Sequence, residues 1–536
     1  MTIRQHDVVI LGGGLAGLSL SLQLKQRFPD LDVLVLERRA HPVCEAAHKV
    51  GESTVEIGAH YFAHVLGLEE YLHQFQLKKF GFRFFFSDGE HDIANVTEVG
   101  GATLLPTKAY QLDRGIFEND LGRFAREHGV TFHDQAIVKH FDIGEGDEPH
   151  RVSYEHGGET HEVTSRWLVD AAGRVGLIKR KLDLVDTNDH DAGAVWFRMS
   201  ERIDINDWSV DKAWLTRCDP PDRWLSTNHL CGEGYWVWLI PLASGSHSVG
   251  IVADAKLHPI DTLNTFDKSM AWLKLHQPIL FDVLDAKRDR LQDFGFYKRF
   301  SYGCKRMYSG RQRWALTGEA GLFLDPFYSP GSDFIAIGNT MITELIAQDR
   351  AGGRTEMYAM IYESVYFSLY RNMLPLYVGQ YKIFGDAEVM PIKVLWDYAF
   401  YWGLMCQLFF QNKLTDIATM GRMGKKFIAV EKLNVAMQHF LRRWSEVNPR
   451  NNPPQMLDQC SLPWFAELNR GLTDELDEVG FKMRIEKTLA QLDALATEII
   501  SRATAAHPEL DGSEIMSFVT TKSTADNLPM LFARAV

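Results

Sequence analysis

The stretch from Asp7 to Glu37 constrains the fold more than any other part of the chain. An apolar run, Val8 to Leu11, passes at once into GGGLAG at Gly12 to Gly17. Residues Leu18 to Phe28 then carry apolar side chains at helical spacing, and Asp32 to Glu37 reads as a second short strand. That order is a βαβ unit. Its glycines answer separate needs: Gly12 the tight turn, Gly14 the close approach of a pyrophosphate, Gly17 the packing of helix on strand. The helix start at Leu15 and Ala16 offers N–H groups and peptide dipoles to a phosphate. Glu37, followed by Arg38, closes the second strand about 20 residues beyond the glycines, where an acid accepts ribose hydroxyls. A glycine turn can be purely structural, but with strand, helix and acid in place this one is read as a dinucleotide site.

At 536 residues the chain is long enough for two or three domains, and a nucleotide fold of this kind often interleaves them in sequence. An apolar fraction of 46% and a charged fraction of 24% are those of an ordinary packed protein, so neither disorder nor a fibrous repeat is indicated. A net charge of -13 argues against nucleic acid as a partner, because gripping a phosphate backbone needs a concentrated basic surface. The cysteines, Cys44, Cys218, Cys231, Cys304, Cys406 and Cys460, form no C-x-x-C pair and have no histidine cluster at ligand spacing, so no metal site is expected and the thiols read as reduced. The chain runs from Met1 through a few polar residues into Val8 to Leu11 without the layout of a signal peptide, which predicts a cytoplasmic location. Val394 to Phe410 is interrupted by Asp397 and falls short of the roughly 20 residues of a membrane span. It reads as an aromatic core helix or a peripheral surface element.

A βαβ unit alone does not choose between NAD and FAD; later segments do. Arg166 to Arg174 (RWLVDAAGR) is a strand running into Asp170 and Gly173, and Trp314 to Asp325 (WALTGEAGLFLD) is another, ending in Gly318 and Glu319. Both resemble the later motifs of FAD enzymes with the glutathione-reductase type of dinucleotide fold, in which the second acid holds the ribityl chain. That family usually has Asp after the glycine; here Glu319 supplies the longer carboxylate. Tyr110 to Phe117 (YQLDRGIF) resembles the family's Asp-Arg segment, with Arg114 near the flavin. The implied fold class is α/β: a glutathione-reductase-type FAD-binding dinucleotide fold, an inserted antiparallel β-sheet forming a substrate layer, and a C-terminal helical region. In this reading residues 1–80, 106–190 and 296–350 form a discontinuous FAD-binding domain, 81–105 with 191–295 the sheet, and 351–536 the helical region, which Asn448 to Pro454 (NPRNNPP) breaks in two.

Trp236, Trp238, Ile240 and Pro241 match W-x-W-x-I-P within WVWLIP, and here the chain resembles the flavin-dependent halogenases. Val50 to Thr54 (VGEST) looks like that family's G-E-S or G-E-A turn. Lys78 to Gly81 (KKFG) looks like the active-site lysine segment of its phenol and pyrrole branch. Phe323, Pro326, Ser329 and Gly331 fit F-x-x-P-x-x-S-x-G. The resemblance implies that Trp236 and Trp238 wall the flavin from the substrate, so that only a small oxidant passes, and that Lys79 orients hypohalous acid, an ammonium being a strong donor of three hydrogens. It further implies that Glu52 and Ser53 lie near the flavin face, with Pro326 and Gly331 beside it, and that a halide is held by backbone N–H groups near the Ser-x-Gly. The intervening residue is Pro330, which has no N–H, leaving Gly331 and Ser332 as the halide donors. No second nucleotide fingerprint is present for NADPH, so reduced FAD would come from a separate flavin reductase. The implied activity is halogenation of an electron-rich phenol or pyrrole with oxygen and chloride or bromide. The aromatic segment Tyr358 to Phe410 offers room for a substrate tethered to an acyl or peptidyl carrier protein.

Each residue also has a plain reading. Indoles at i and i+2 of a strand share a face and can be simple core packing; Lys79 can be a solvated strand-edge lysine and Glu52 a turn residue. A flavin-dependent monooxygenase or another FAD oxidoreductase of the same fold is the competing function, distinguished by its lack of need for a tryptophan wall with Lys79. A non-catalytic scaffold is the third; the intact glycines, Glu37 and Arg114 argue against it.

Overall fold

The computed structural model describes residues 3–44, 46, 50–521 and 529–532; Met1 lies outside them. The strand Arg4–Leu11 pairs in parallel with Val33–Leu36 on one side and Glu159–Asp170 on the other. The sheet extends in parallel to Thr131–His133 beyond the first neighbour and to Trp314–Leu316 beyond the second. A parallel sheet covered on both faces needs apolar residues at every position, which is why VLVL at Val33–Leu36 is buried throughout. The helix Leu15–Arg27 begins inside the glycine motif, before the apolar periodicity becomes visible at Leu18, and packs against Arg114–Glu127 and Gly331–Arg350.

The second large sheet runs in the order Leu291–Tyr297, Ala192–Met199, His247–Asp254, Tyr235–Pro241, Thr227–Gly232, Phe82–Phe85, Glu98–Gly100, Met456–Asp458. It departs from the expected antiparallel layer at two joints: Phe82–Phe85 pairs in parallel with Thr227–Gly232, and Met456–Asp458 in parallel with Glu98–Gly100. The second joint also means that the C-terminal region is not wholly helical. The proline-rich break at Asn448 to Pro454 turns the chain into an edge strand, and Asn452 tethers it by accepting from the Thr97 N–H at 2.9 Å.

The helix Val389–Phe400 continues through a π-helical segment, Tyr401–Cys406, into Gln407–Phe410. Every residue from Val389 to Phe409 is buried, so this aromatic run is a core helix. Among the described residues no helix is long and apolar enough to cross a membrane. The helix Glu478–Ala506 buries Leu492, Leu495 and Ile499 in the same layer.

Candidate functional site

The glycine turn shows why side chains are excluded. Gly12 has φ of +114°, and a Cβ there would fall 2.4 Å from the carbonyl oxygen of Ala171; a Cβ on Gly17 would fall 2.0 Å from that of Gly12. Gly14 meets nothing nearer than a Glu118 carboxylate oxygen at 4.0 Å and faces open space. Glu37 accepts from the Gly13 and Arg39 N–H groups, each at 2.8 Å, which ties the end of its strand to the turn.

From here a cavity of about 620 Å³ crosses the molecule, within the range of about 300–1,000 Å³ usual for cofactor sites. It is lined, among others, by Gly12, Gly14, Leu15, Ala16, Glu37, Arg38, Glu52, Ser53, Arg114, Trp236, Trp238, Gly318, Glu319, Pro326, Gly331 and Ser332. Segments far apart in sequence thus meet around one cavity. Gly17, Asp170 and Lys79 lie outside the lining. Asp170 is buried, and its two oxygens accept the N–H groups of Ala172 at 3.0 Å and Ile178 at 2.7 Å. It shapes the turn after its strand and does not reach the channel.

Arg114 donates to the Val50 carbonyl at 2.8 Å and to Glu118 at 2.5 Å, and burial brings its guanidinium down to about 10. Glu319 faces Arg174 at 3.5 Å. Glu52 is buried, and burial lifts its carboxyl to about 7 against the opposing pull of Arg198, 3.5 Å away. A carboxyl that changes protonation near neutrality on a cofactor wall is suited to proton exchange. Arg198, which also holds Asp113 at 2.9 Å, carries no local sequence signal; a strand inserted from the second sheet delivers it.

Trp236 and Trp238 stand on one face of Tyr235–Pro241 with ring centroids 5.7 Å apart. The neighbouring strand makes room: Gly250 pairs with Trp238, and a Cβ on it would sit 2.1 Å from the indole. The Trp236 N–H reaches Tyr381 at 3.2 Å, and Tyr381 donates to Asp325 at 2.6 Å; His190 reaches the same oxygen at 2.5 Å. None of these three supports was legible in the sequence. Beside the wall, His229 is buried among Phe84, Phe327 and Trp236, with both ring nitrogens unpartnered. Burial, and then Lys79, hold it down to about 3, so it is neutral.

Lys79 is not a solvated edge lysine. Its side chain is buried, donates to Ser53 Oγ and the Thr54 carbonyl at 2.9 Å each, and lies 3.5 Å from the centre of the Phe82 ring. Burial lowers its ammonium to about 7, opposed by Glu56 and Asp333. On the channel wall the helix Gly331–Arg350 begins, and its first intrahelical bond runs from Phe334 N–H to Pro330 O. The N–H groups of Gly331 and Ser332 precede that bond, and both residues line the channel.

A dinucleotide cradle joined to an aromatic-walled channel defines a flavoprotein of the FAD-dependent oxidoreductase type. A family model described as "FAD binding domain" matches residues 5–300, and the chain belongs to that family. It is 29% identical over 380 residues to the "Flavin-dependent halogenase chlA" of Dictyostelium discoideum, covering 64% of this chain and 60% of that protein's length. It is 26% identical over 367 residues to a 1H-pyrrole-2-carbonyl peptidyl-carrier-protein brominase of Pseudoalteromonas luteoviolacea, covering 66% of this chain and 81% of that one. In structure it resembles halogenase PltM in complex with phloroglucinol and FAD, with a TM-score of 0.63 at 17% identity, covering 95% of this chain and 98% of that one. The fold is therefore shared along nearly the whole chain.

Proposed function

We propose that this protein is a flavin-dependent halogenase that uses reduced FAD, oxygen and chloride or bromide to halogenate an electron-rich aromatic, a phenol or a pyrrole. One observation carries the reading: Ser53 lines the cofactor channel, and the buried Lys79 ammonium grips the same Ser53 from outside that channel. Trp236 and Trp238 line the same channel. Such a layout separates cofactor from substrate and leaves an amine beyond the wall, whereas hydroxylation needs the substrate to meet the flavin directly.

FAD fits the residues present: the glycine turn has no room for side chains where backbone crosses, and Gly14 leaves space where a phosphate would lie. When bound and reduced, FAD supplies the oxygen activation that turns halide into hypohalous acid. The chain's own residues then divide the work. Gly331 and Ser332 offer N–H groups to a halide, Pro330 giving none. Glu52 holds or releases a proton beside the cofactor. The indoles exclude the organic substrate, and Lys79 donates to hypohalous acid and aims it. Two relatives, the pyrrole brominase above and a corresponding chlorinase, are named for carrier-protein substrates, which supports a tethered acyl substrate here. A separate flavin reductase is the partner that would supply reduced cofactor. A cytoplasmic location belongs to the same reading.

The test is incubation with reduced FAD, oxygen and each halide over a phenol and pyrrole panel, read by isotope pattern in mass spectrometry. Lys79→Ala should abolish halogenated product while FAD still binds. Unchanged product from that variant would defeat the assignment of Lys79.

A further inference from the structure

The turn that leads to Gly331 and Ser332 and the tryptophan strand are held by one buried carboxylate, and the reading above gives that link no task. Asp325 is fully buried. Its Oδ1 accepts the Phe327 N–H at 2.8 Å and so caps the short 3-10 turn Pro326–Tyr328. Its Oδ2 accepts the Tyr381 hydroxyl at 2.6 Å, and Nε2 of His190 lies 2.5 Å from the same oxygen. The Tyr381 oxygen in turn accepts the Trp236 N–H at 3.2 Å. Rings close the circuit: Phe327 meets Trp236 edge-on at 5.1 Å, and Phe384 stacks on Phe327 at 4.5 Å and on Tyr381 at 4.7 Å. The backbone adds a further tie, because the Gly234 N–H, just ahead of the strand Tyr235–Pro241, donates to the Tyr381 carbonyl at 2.9 Å.

The turn needs such a hold. It ends at Ser329, whose φ of +52° is a left-handed conformation that an L side chain adopts only at a cost. Pro330 and Gly331 follow at once and open the helix Gly331–Arg350. Where the Gly331 and Ser332 N–H groups lie is therefore set by how the turn is pinned. Tyr328 pins it to the helix Val389–Phe400 by donating to Asp397 at 2.7 Å, and Asp325 pins it to the wall. Hydrogen bonds to a charged carboxylate fix geometry as well as adding energy. Register matters here, since a displacement of about 1 Å in a reacting group can cost about 10²-fold in rate.

We propose that Asp325 is a positioning residue that registers the halide-donating turn against Trp236, with His190 and Tyr381 holding its second oxygen, so that hypohalous acid forms opposite the passage it is to take. The inference rests on the halogenation reading above and on Gly331 and Ser332 as the halide donors. Asp325 makes and breaks no bond in the reaction. It lies outside the channel lining, between Leu324 and Pro326, which belong to it, and it acts through Phe327 and Tyr381. Coupling of this kind is reciprocal: a change at the wall end alters halide binding at the turn, and a change at the turn end alters what the wall lets through.

The test measures bromide affinity of the FAD-loaded protein from the change bromide makes in the flavin absorption spectrum. In turnover, the oxidant is partitioned between aromatic product and taurine added as a trap. Asp325→Asn keeps an amide oxygen for the Phe327 N–H but turns an NH2 group, which cannot accept, towards Tyr381. Bromide should bind it about tenfold more weakly, the worth of one hydrogen bond to a charged group, and the trapped share of oxidant should rise. Tyr381→Phe leaves the Asp325 bond to Phe327 in place and should still weaken bromide about fivefold, the low end of coupling between linked sites; a merely structural tyrosine would lower stability without moving bromide affinity. His190→Gln keeps a donor and should stay within about twofold of the wild type, whereas His190→Leu, which has none, should follow Asp325→Asn. FAD content and near-ultraviolet circular dichroism establish that each variant is folded, and if Asp325→Asn fails to load FAD the two His190 variants carry the same comparison. Unchanged bromide affinity in Asp325→Asn or in Tyr381→Phe, or a His190→Leu that matches His190→Gln, overturns the proposal. A wild type that binds bromide with these dependences yet yields no trappable oxidant would instead refute the halogenation reading and leave the link between turn and wall standing.

Discussion

Replacing Glu52 by Gln isolates the energetic cost of a buried acid on the cofactor wall. Burial raises its folded value from 4.5 to about 7, a displacement equivalent to about 3.4 kcal/mol between protonation states. Because the folded form holds the proton more tightly than the unfolded one, stability is lost as pH rises from the unfolded value through the folded value. Integrated with those two values, the penalty is about 1 kcal/mol at pH 5 and about 3 kcal/mol at pH 7. Glutamine keeps the shape without the charge, and Arg198 retains its bond to Asp113 at 2.9 Å, so the variant gives up little more than one polar contact, about 1 kcal/mol. It should therefore match the wild type at pH 5 and exceed it by about 2 kcal/mol at pH 7. Urea unfolding of both proteins, saturated with FAD at the two pH values and equal ionic strength, measures the difference. An advantage of the same size at both values would refute the reasoning, because desolvation of an ionising carboxyl would not then be its source.

Other substitutions probe the cradle and the wall. Gly12→Ala places a Cβ 2.4 Å from a backbone oxygen at φ of +114°, so the purified variant should lack FAD, as its absorption spectrum would reveal. Gly250→Ala drives a methyl to within 2.1 Å of the Trp238 ring; overpacking should cost about 1–3 kcal/mol, seen as a lowered urea midpoint. Tyr381→Phe removes the acceptor of the Trp236 N–H at a cost of about 1 kcal/mol. With the indole released, less oxidant should reach the aromatic substrate and more should escape, so the ratio of taurine-trapped halogen to aromatic product should rise. An unchanged ratio would show that Trp236 needs no such tether.

What the sequence revealed and what it hid follow from the range of the forces involved. The βαβ cradle was legible because its demands are local: the missing side chains at Gly12, Gly14 and Gly17, and Glu37 at the end of the next strand, are fixed by backbone geometry within a few residues. The tryptophan pair was legible as a shared face because strands have a period of two. Asp170 shows the limit of the same method, since its motif position suggested a cofactor contact and its oxygens instead hold two backbone N–H groups. Lys79 shows the opposite case: its local surroundings read as those of an edge lysine, yet it is buried over the Phe82 ring and held by Ser53 and Thr54, brought in from another segment. Arg198, Tyr381 and His229 carry no motif, and Asp325 stands at an unspecified position inside one, because their partners lie on strands and helices far along the chain.

The buried Lys79, Glu56 and Asp333 give this division a functional sense. A lysine lowered to about 7 and an aspartic acid raised to about 8 are strained away from their charged forms by the same desolvation, and a chain selected only for stability would fill such a place with apolar side chains. Two segments supply the acids, a third supplies the amine, and aromatic residues of the C-terminal layer keep water away. Burial disfavours the charged form of each group while the opposite charges beside it favour that form, the kind of arrangement that suits an acid and a base to act together in one catalytic cycle. If the cluster serves that purpose, the double variant Glu56→Gln/Lys79→Met, which removes acid and amine together, should stabilise the fold or leave it unchanged while slowing halogenation. Paired loss of stability and activity would mark the cluster as structural.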